Sequence, residues 1–330
     1  MTTEGESVLH RDHHDVRTDL VPMLHHMIDA ASDVQHYPPP QVFAEGSEAA
    51  AFASSLATDQ LRQVHLRGVA VAYARVHYVV QTLRMVTDKF NHDPWTFNVA
   101  GPCRDALDIG IRNARIFRAP SPESMLSRFA SLFAEPGKRQ QFDEARKELL
   151  GQFVKGGVAP AVPAYGTRAL TAALDSGRIS WELDKPGTRI AKIGGERTEV
   201  NVTEIAREID PDLATRYRVL SSFTHGEPAQ TDSRLGFDAL QEGAERGRLP
   251  AFADVPLLLA VVGTTARSLT LAAGGLYDHL AWGTPKLTQA RRISMAGAVV
   301  TKKIERLIRL AQRGRFVHPG AHNYGRASET

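Results

Sequence analysis

Apolar residues recur at steps of three and four along most of this chain, the spacing of a helix with one buried face. The clearest case runs from Thr58 to Phe90, where the recurring positions are Leu61, Val64, Gly68, Val71, Ala72, Val79, Leu83 and Val86. Periodicity, N-caps and prolines predict further helices at about 15–35, 94–117, 122–135, 137–153, 166–176, 210–225, 233–246, 255–282 and 285–313. The pattern therefore predicts an all-α (mainly α) fold, a multi-helix bundle.

One stretch has a different pattern. Residues 189–193 and 196–202 alternate apolar and polar positions on either side of Gly194-Gly195, which predicts a small β-hairpin insertion near 188–202. A glycine- and proline-rich stretch at 156–163 marks a sub-boundary. We expect an acidic, partly disordered N-terminal segment at 1–45, a helical-bundle domain at 46–315 and a tail at 316–330.

Composition places the chain among globular proteins, since 42% of its 330 residues are hydrophobic and 23% are charged. The net charge of +3 hides an uneven layout. Residues 1–60 carry ten acidic and two basic residues, whereas residues 286–330 carry ten basic and two acidic ones. This asymmetry predicts a basic surface for an anionic partner. A GC-rich genome is the competing explanation, because Arg outnumbers Lys by 31 to 9.

The single cysteine, Cys103, excludes an internal disulfide and any zinc site that needs two thiolates from this chain. The first twenty residues contain no continuous apolar stretch, so we expect no signal peptide and a cytoplasmic protein. The most apolar run, 255–282, contains Arg267, Asp278 and His279. We therefore expect a buried core helix there and no membrane association.

Histidines are frequent near the N-terminus, at His10, His13, His14, His25, His26 and His36. Adjacent residues on a helix point about 100° apart, so we expect no metal site among them. His65 lies between apolar positions of the long helix and is expected to be a core or helix-flank residue. Phosphate-loop, dinucleotide-binding and zinc-protease motifs are absent from the sequence, and we expect no cofactor.

A polar row marks the end of the helix predicted at 210–225. Its members share one face at steps of three, four and seven: Arg218, Ser221, Ser222 and His225. An arginine fork can hold two phosphate oxygens, and a histidine can take or give a proton near neutral pH. RNA supplies its own nucleophile, the 2′-OH, so such a pair needs no metal. The candidate catalytic residues are Arg218 and His225, with Tyr217, Ser221, Ser222 and Thr224 as supporting residues.

The spacing Arg218-x6-His225 resembles the R-x4–6-H signature of the HEPN superfamily. The run from Tyr217 to His225 is also similar to a Tyr-x-x-Leu-Ser-x-x-x-His segment of a bacterial helical family of unknown function. That family carries Arg-x3-acid-x3-Arg on an earlier helix, and Arg104, Asp108 and Arg112 match this arrangement. The resemblance implies a helical, often dimeric, metal-independent endoribonuclease of a defence or toxin–antitoxin system. RNA, a second copy of the chain and an antitoxin-like protein are the implied partners.

Arginines also stack at helical spacing between 104 and 118, and Arg104 and Arg112 are candidate phosphate-binding residues. The alternative is a solvated or ion-paired face. A basic band follows on the last helix, at Lys302, Lys303, Arg306, Arg309, Arg313 and Arg315. If RNA is the ligand, we expect this band to border the face of Arg218 and His225.

Two hypotheses stand. In the first, this HEPN-like protein binds or cleaves RNA without metal through Arg218 and His225. In the second, it is a non-catalytic helical interaction or scaffold protein, and Arg218 bonds a neighbour such as Asp108. Val219 occupies a position where the signature usually has a polar residue, so whether the protein is an enzyme stays open.

Overall fold

The computed structural model describes residues 20–32, 43–56, 58–92, 97–132, 201–225, 255–281 and 287–312, together with short strands and two single positions, 145 and 148. This part of the chain is mainly helical, which confirms the predicted mainly-α bundle. Its nine helices are α1 (20–32), α2 (Glu48–Ser55), α3 (Asp59–His92), α4 (Phe97–Phe117), α5 (Pro122–Ser131), α6 (Val202–Ile209), α7 (Pro211–His225), α8 (Val255–Leu280) and α9 (Gln289–Gln312).

Short extended segments accompany the helices: β1 (Ile179–Lys185), β2 (Thr188–Ile193), β3 (Glu196–Arg197), β4 (Gly283–Thr284) and β5 (Leu287–Thr288). β2 pairs antiparallel with β1 on one side and with β3 on the other, and β4 pairs with β5. The strand expected over 196–202 is wrong at its end. Asn201 caps α6 there, accepting a hydrogen bond from the amide of Thr203 at 2.9 Å. Residues 198–200 lie outside the described part of the chain, so a hairpin over the whole of 188–202 that is inserted into the bundle stays a prediction.

Helix starts lie where capping residues occur. Asp210 accepts a hydrogen bond from the amide of Asp212 at 3.0 Å and opens α7, with Pro211 as its first residue. Ser121 caps α5 in the same way. Both starts confirm the predictions. The sequence pattern does not predict α2, which Ser47 caps, because eight residues are too few for a clear helical period.

The central element is α8, which packs against α3, α4 and α9. Asn113 on α4 joins three helices, since its amide donates to the carbonyl of Ala72 on α3 at 3.0 Å and to that of Ala272 on α8 at 3.3 Å. By length and composition alone, α8 is apolar enough to cross a membrane over 258–280, but 72% of this stretch is buried inside the bundle. Such burial is expected of a core helix.

The contacts of α8 fix the direction of its neighbours. Asn113 of α4 reaches Ala272, and Gly110 meets Ser268, so α4 runs parallel to α8. The other contacts of α8 pair His279 with His65 of α3, Thr264 with Arg216 of α7, and Gly263 with Ile304 of α9. Together with the bond of Arg267 to Asp210 and the contact of Thr270 with Gly297, they make α3, α7 and α9 antiparallel to α8. The C-terminal ends of α3, α7 and α9 therefore lie near the N-terminal end of α8.

The first helix belongs to the bundle. Leu20, Leu24 and Met27 of α1 are fully buried, and the hydroxyl of Tyr277 on α8 donates to the carbonyl of Ala31 at 3.1 Å. The helical domain therefore begins by residue 20, not at 46. Several predicted features lie outside the described residues: the helices at 137–153, 166–176 and 233–246, the sub-boundary at 156–163 and the tail at 316–330.

Candidate functional site

The polar row of α7 lies on the outer side of the helix. Arg218 and Thr224 are exposed and Ser221 and Ser222 are half-buried, whereas Leu213 and Leu220 of the opposite face are buried. The hydroxyl of Ser222 donates to the carbonyl of Arg218 at 2.9 Å, and that of Thr224 donates to the carbonyl of Leu220 at 3.1 Å. Both hydroxyl hydrogens are thus used within the helix. The two side chains can still accept a hydrogen bond from a ligand.

Tyr217 of α7 holds Arg104 of α4 in place. Its Nη2 donates to the hydroxyl of Tyr217 at 3.0 Å, and its guanidinium lies 5.4 Å from the centre of the same ring. Its Nη1 lies 3.2 Å from a carboxylate oxygen of Asp105. The remaining nitrogen, Nε, is buried and has no partner among the described residues. Tyr217 thus fixes one guanidinium group from α4, and the next residue of α7, Arg218, is exposed.

The second candidate phosphate-binding residue, Arg112, lies elsewhere. Eight residues separate it from Arg104, about 12 Å along a helix. Since α4 runs parallel and α7 antiparallel to α8, this displacement points away from the C-terminal end of α7. Arg112 Nε donates to a carboxylate oxygen of Asp108 at 2.8 Å. Asp108 thus pairs with Arg112, not with Arg218 as the scaffold hypothesis expected, and Arg104 and Arg112 form two separate groups.

Arg75 on α3 joins this other group, and the sequence analysis missed it. Burial lowers the pKa of its guanidinium, Arg112 lowers it further, and Asp108 acts in the opposite direction. One of its terminal nitrogens is buried without a partner in the described part of the chain. No sequence signal marks Arg75, because only the packing of α3 on α4 brings it to Asp108 and Arg112.

His225 is the last residue of α7, and its side chain lies outside the described part of the chain. The helical backbone from Pro211 to His225 places positions 218 and 225 on the same side, two turns apart. The pairing of Arg218 with His225 on a substrate therefore stays a prediction.

The basic band occupies the outer face of α9. Lys302, Arg306 and Arg309 are exposed, while Ile304 and Leu307 between them are buried. Two further members of the band, Arg313 and Arg315, lie outside the described residues. The main packing surface of α9 is α8, not α7. Because both helices run antiparallel to α8, the band and the C-terminal half of α7 lie towards the same end of the bundle. That the band borders the face of Arg218 and His225 stays a prediction.

A buried histidine pair lies at the opposite end. The Nε2 atoms of His65 on α3 and His279 on α8 are 3.0 Å apart, and both residues are buried, as expected for His65. Aromatic rings surround His65, with that of Phe43 stacked at 5.0 Å and that of Phe52 edge-on at 4.7 Å. Burial, and then the neighbouring His279, lower the pKa of His65 to about 3. Both imidazoles are therefore neutral at pH 7.

Glu48 lies next to this pair. Its Oε1 is 3.5 Å from Nδ1 of His279, and its carboxylate opposes the lowering of the pKa of His279 by burial. One Nε2 atom of the pair donates to the other, so one of the two rings carries its proton on Nε2. The Nδ1 atoms of both rings are buried without a hydrogen-bond partner among the described residues. Sequence spacing could not reveal this chain of three groups, since it joins positions on α2, α3 and α8.

Within the described residues, no group of three or more His, Cys, Asp or Glu side chains converges in a way that could hold a metal ion. His25 and His26 are exposed on α1, and the other N-terminal histidines lie outside these residues. No protein-family model matches the chain, and no curated protein or solved structure is significantly similar to it.

Proposed function

We propose that this protein binds RNA through the face that Arg104 and Arg218 share on α4 and α7. The observation that carries the proposal is the guanidinium of Arg104, which Tyr217 of α7 holds by a 3.0 Å hydrogen bond, one residue before the exposed Arg218. A phosphodiester carries one negative charge and two free oxygens, which suit a pair of arginine forks. Because Tyr217 already orders Arg104, less side-chain entropy is lost when a phosphate binds.

The charge distribution supports the same partner. The basic band of α9, with Lys302, Arg306 and Arg309 exposed, lies towards the same end of the bundle as Arg218. A strand of RNA that contacts both surfaces would neutralise several phosphates and release their counterions. Binding should therefore weaken steeply as salt is raised.

Cleavage is the further step that the HEPN resemblance implies. The imidazole of His225 takes the proton of the 2′-OH, and the 2′-oxygen attacks the phosphorus. Arg218 stabilises the negative charge that develops on the phosphate oxygens. The 5′-oxygen leaves with a proton, and a 2′,3′-cyclic phosphate remains. One histidine per chain supplies one of the two proton transfers, so a homodimer that brings two α7 helices together is the simplest complete site.

The test for binding is fluorescence anisotropy with a labelled single-stranded RNA between about 50 and about 200 mM salt. We expect Arg104→Gln with Arg218→Gln to weaken binding and to lower the slope of log K against log salt by about 1.4, the value for two lost phosphate contacts. Arg62→Gln is the matched control, because Arg62 is an exposed arginine near the N-terminus of α3, at the opposite end of the bundle. Equal affinity for RNA in the double variant and the control would refute the proposed face.

The test for cleavage follows the same RNA on a gel in the presence of EDTA. We expect His225→Ala to abolish cleavage and to leave the melting temperature and the affinity for RNA unchanged. Cleavage that persists in purified His225→Ala protein would exclude His225 from the reaction. Binding without cleavage by the unaltered chain would support a role in RNA binding alone. Replacing Val219 by a polar residue would then test whether this position prevents cleavage.

The second candidate function is a non-catalytic helical scaffold. It is favoured by the bonds that Arg104 makes to Tyr217 and Asp105 and by the pairing of Arg112 with Asp108, because these guanidinium groups already have partners. In that case Arg104→Gln lowers the melting temperature and leaves any affinity for RNA unchanged. The RNA-binding proposal predicts instead that Arg104→Gln mainly weakens RNA binding and changes the melting temperature little.

The RNA-binding proposal includes a cellular location, a biological system and a protein partner. We propose a cytoplasmic protein of a defence or toxin–antitoxin system, with an antitoxin-like protein as a partner and a small β-hairpin near 188–202 as an insertion in the bundle. A gene for a small antitoxin-like protein beside this one, and copurification of the two proteins, would support that context.

A further inference from the structure

A cavity of about 600 Å³ opens at the C-terminal end of α8, between residues of α2, α4, α5, α8 and α9. Sites for small molecules usually have volumes of about 300 to 1,000 Å³. The cavity extends along α8 from Arg267 to His279, and its wall includes none of Arg104, Tyr217 and Arg218. Its near end adjoins the N-terminus of α7, since Arg267 bonds to Asp210 there. It is therefore a separate candidate site in the described part of the bundle.

The wall of this cavity carries three exposed arginines. Arg118, Arg267 and Arg291 line it, and the hydroxyls of Thr270 and Ser294 lie in the same wall. Arg267 is held by Asp210, whose carboxylate oxygen lies 3.3 Å away. For Arg118 and Arg291 the described residues supply no ion pair. Two guanidinium groups at one cavity favour an anionic group, a phosphate or a carboxylate, in the ligand.

The same wall also offers acceptors and an apolar surface. Glu48 and Asp278 line it, and burial together with Glu48 raises the pKa of Asp278. Carboxylates at this position suit hydroxyl or amino groups of a ligand. Phe117 and Leu271 add apolar contact.

Gly274 keeps the cavity open. A Cβ atom at this position would meet no other atom within 4 Å, so a larger side chain there would project into free space. Its neighbour differs, because a Cβ atom on Gly275 would lie 2.5 Å from Cβ of Phe117. The first glycine is thus not required by helix packing, whereas the second permits a close contact between α8 and α4.

We propose that this cavity binds a small organic anion, in which a phosphate or carboxylate contacts Arg118 and Arg291 and a hydroxyl-bearing body contacts Glu48 and Asp278. The test is isothermal titration calorimetry on the full chain with three probes. Ribose 5-phosphate carries the phosphate and the hydroxyls, gluconate carries a carboxylate with hydroxyls, and ribose carries hydroxyls alone. We expect binding of one or both anions with Kd below about 1 mM and no binding of ribose.

Two variants test the location of this site. Arg118→Gln removes one cation and should weaken binding of the anion at least about tenfold, because a charge-assisted hydrogen bond is lost. Gly274→Leu fills the cavity and should abolish binding. The matched controls are Arg207→Gln, an exposed arginine on α6, and Gly101→Leu, a helical glycine whose Cβ would also meet no atom within 4 Å. Both controls should bind the anion as the unaltered chain does.

The proposal is overturned if neither anion binds at about 10 mM, or if ribose binds as tightly as ribose 5-phosphate. It is also overturned if Gly274→Leu protein, folded by its circular dichroism spectrum, binds the anion with unchanged Kd. Binding of gluconate alone identifies a carboxylate ligand, and binding of ribose 5-phosphate alone identifies a phosphate ligand. RNA binding should be the same in Gly274→Leu and the unaltered chain.

Discussion

Acidification should destabilise this protein through the buried histidine pair. His65 is fully buried and its pKa is lowered to about 3, against an ordinary value near 6.5. Between these two pH values the unfolded chain binds a proton that the folded chain does not bind. The free energy of unfolding is therefore complete above about pH 6.5 and falls as the pH is lowered towards 3. For this one group the loss at pH 5 is about 2 kcal/mol.

His279 acts in the same direction. Burial lowers its pKa as well, although the carboxylate of Glu48 opposes that shift. The group next to His65 therefore also resists protonation in the folded state. The loss of unfolding free energy calculated for His65 alone is therefore a minimum for the histidine pair.

The assay is urea unfolding at about pH 7.5 and about pH 5, followed by circular dichroism. All variants contain the same carboxylates, which titrate over this pH range. The difference between variants in the loss of unfolding free energy therefore reports the substituted histidine alone. We expect His65→Phe to lose about 2 kcal/mol less than the unaltered chain between the two pH values, because phenylalanine does not titrate and fits among Phe43 and Phe52. His77→Phe is the control, since His77 is exposed on the same helix. If His65→Phe and the unaltered chain lose equal stability, His65 is not held neutral and the argument fails.

Three further predictions concern packing, capping and the thiol. Gly110→Ala should lower the free energy of unfolding by about 1 to 3 kcal/mol, because the new Cβ would lie 2.8 Å from the carbonyl oxygen of Ser268. Gly101→Ala should not lower it, because a Cβ there meets nothing within 4 Å. Urea unfolding of the two variants makes the comparison. Ser121→Ala removes the N-cap of α5 and should cost about 1 kcal/mol, and the exposed Ser54→Ala serves as its control in the same measurement. Cys103 is buried, and burial raises its pKa to about 12. Iodoacetamide at neutral pH should therefore modify it only after urea unfolding, which mass spectrometry can detect. Rapid modification of the folded chain would contradict that burial.

Helix positions were the part of this fold that local patterns could predict. The starts at Ser121-Pro122 and Asp210-Pro211 were predicted because capping is a property of a few adjacent residues. The two eight-residue helices, α2 and α6, were missed, since most of their stability comes from packing on longer neighbours. Asn201 capped a helix where a strand was expected.

The sequence by itself determined a mainly helical chain, the polar row from Arg218 along α7 and the burial of His65, because each depends on local periodicity. Only the tertiary structure decided which distant groups meet. It placed Arg104 on Tyr217, 113 positions further along, and His65 on His279, 214 positions further along. Helical periodicity specifies which face a residue occupies, not which neighbour that face will contact. The packing of the helices around α8 therefore separated Arg104 from Arg112 and created the cavity beside His279.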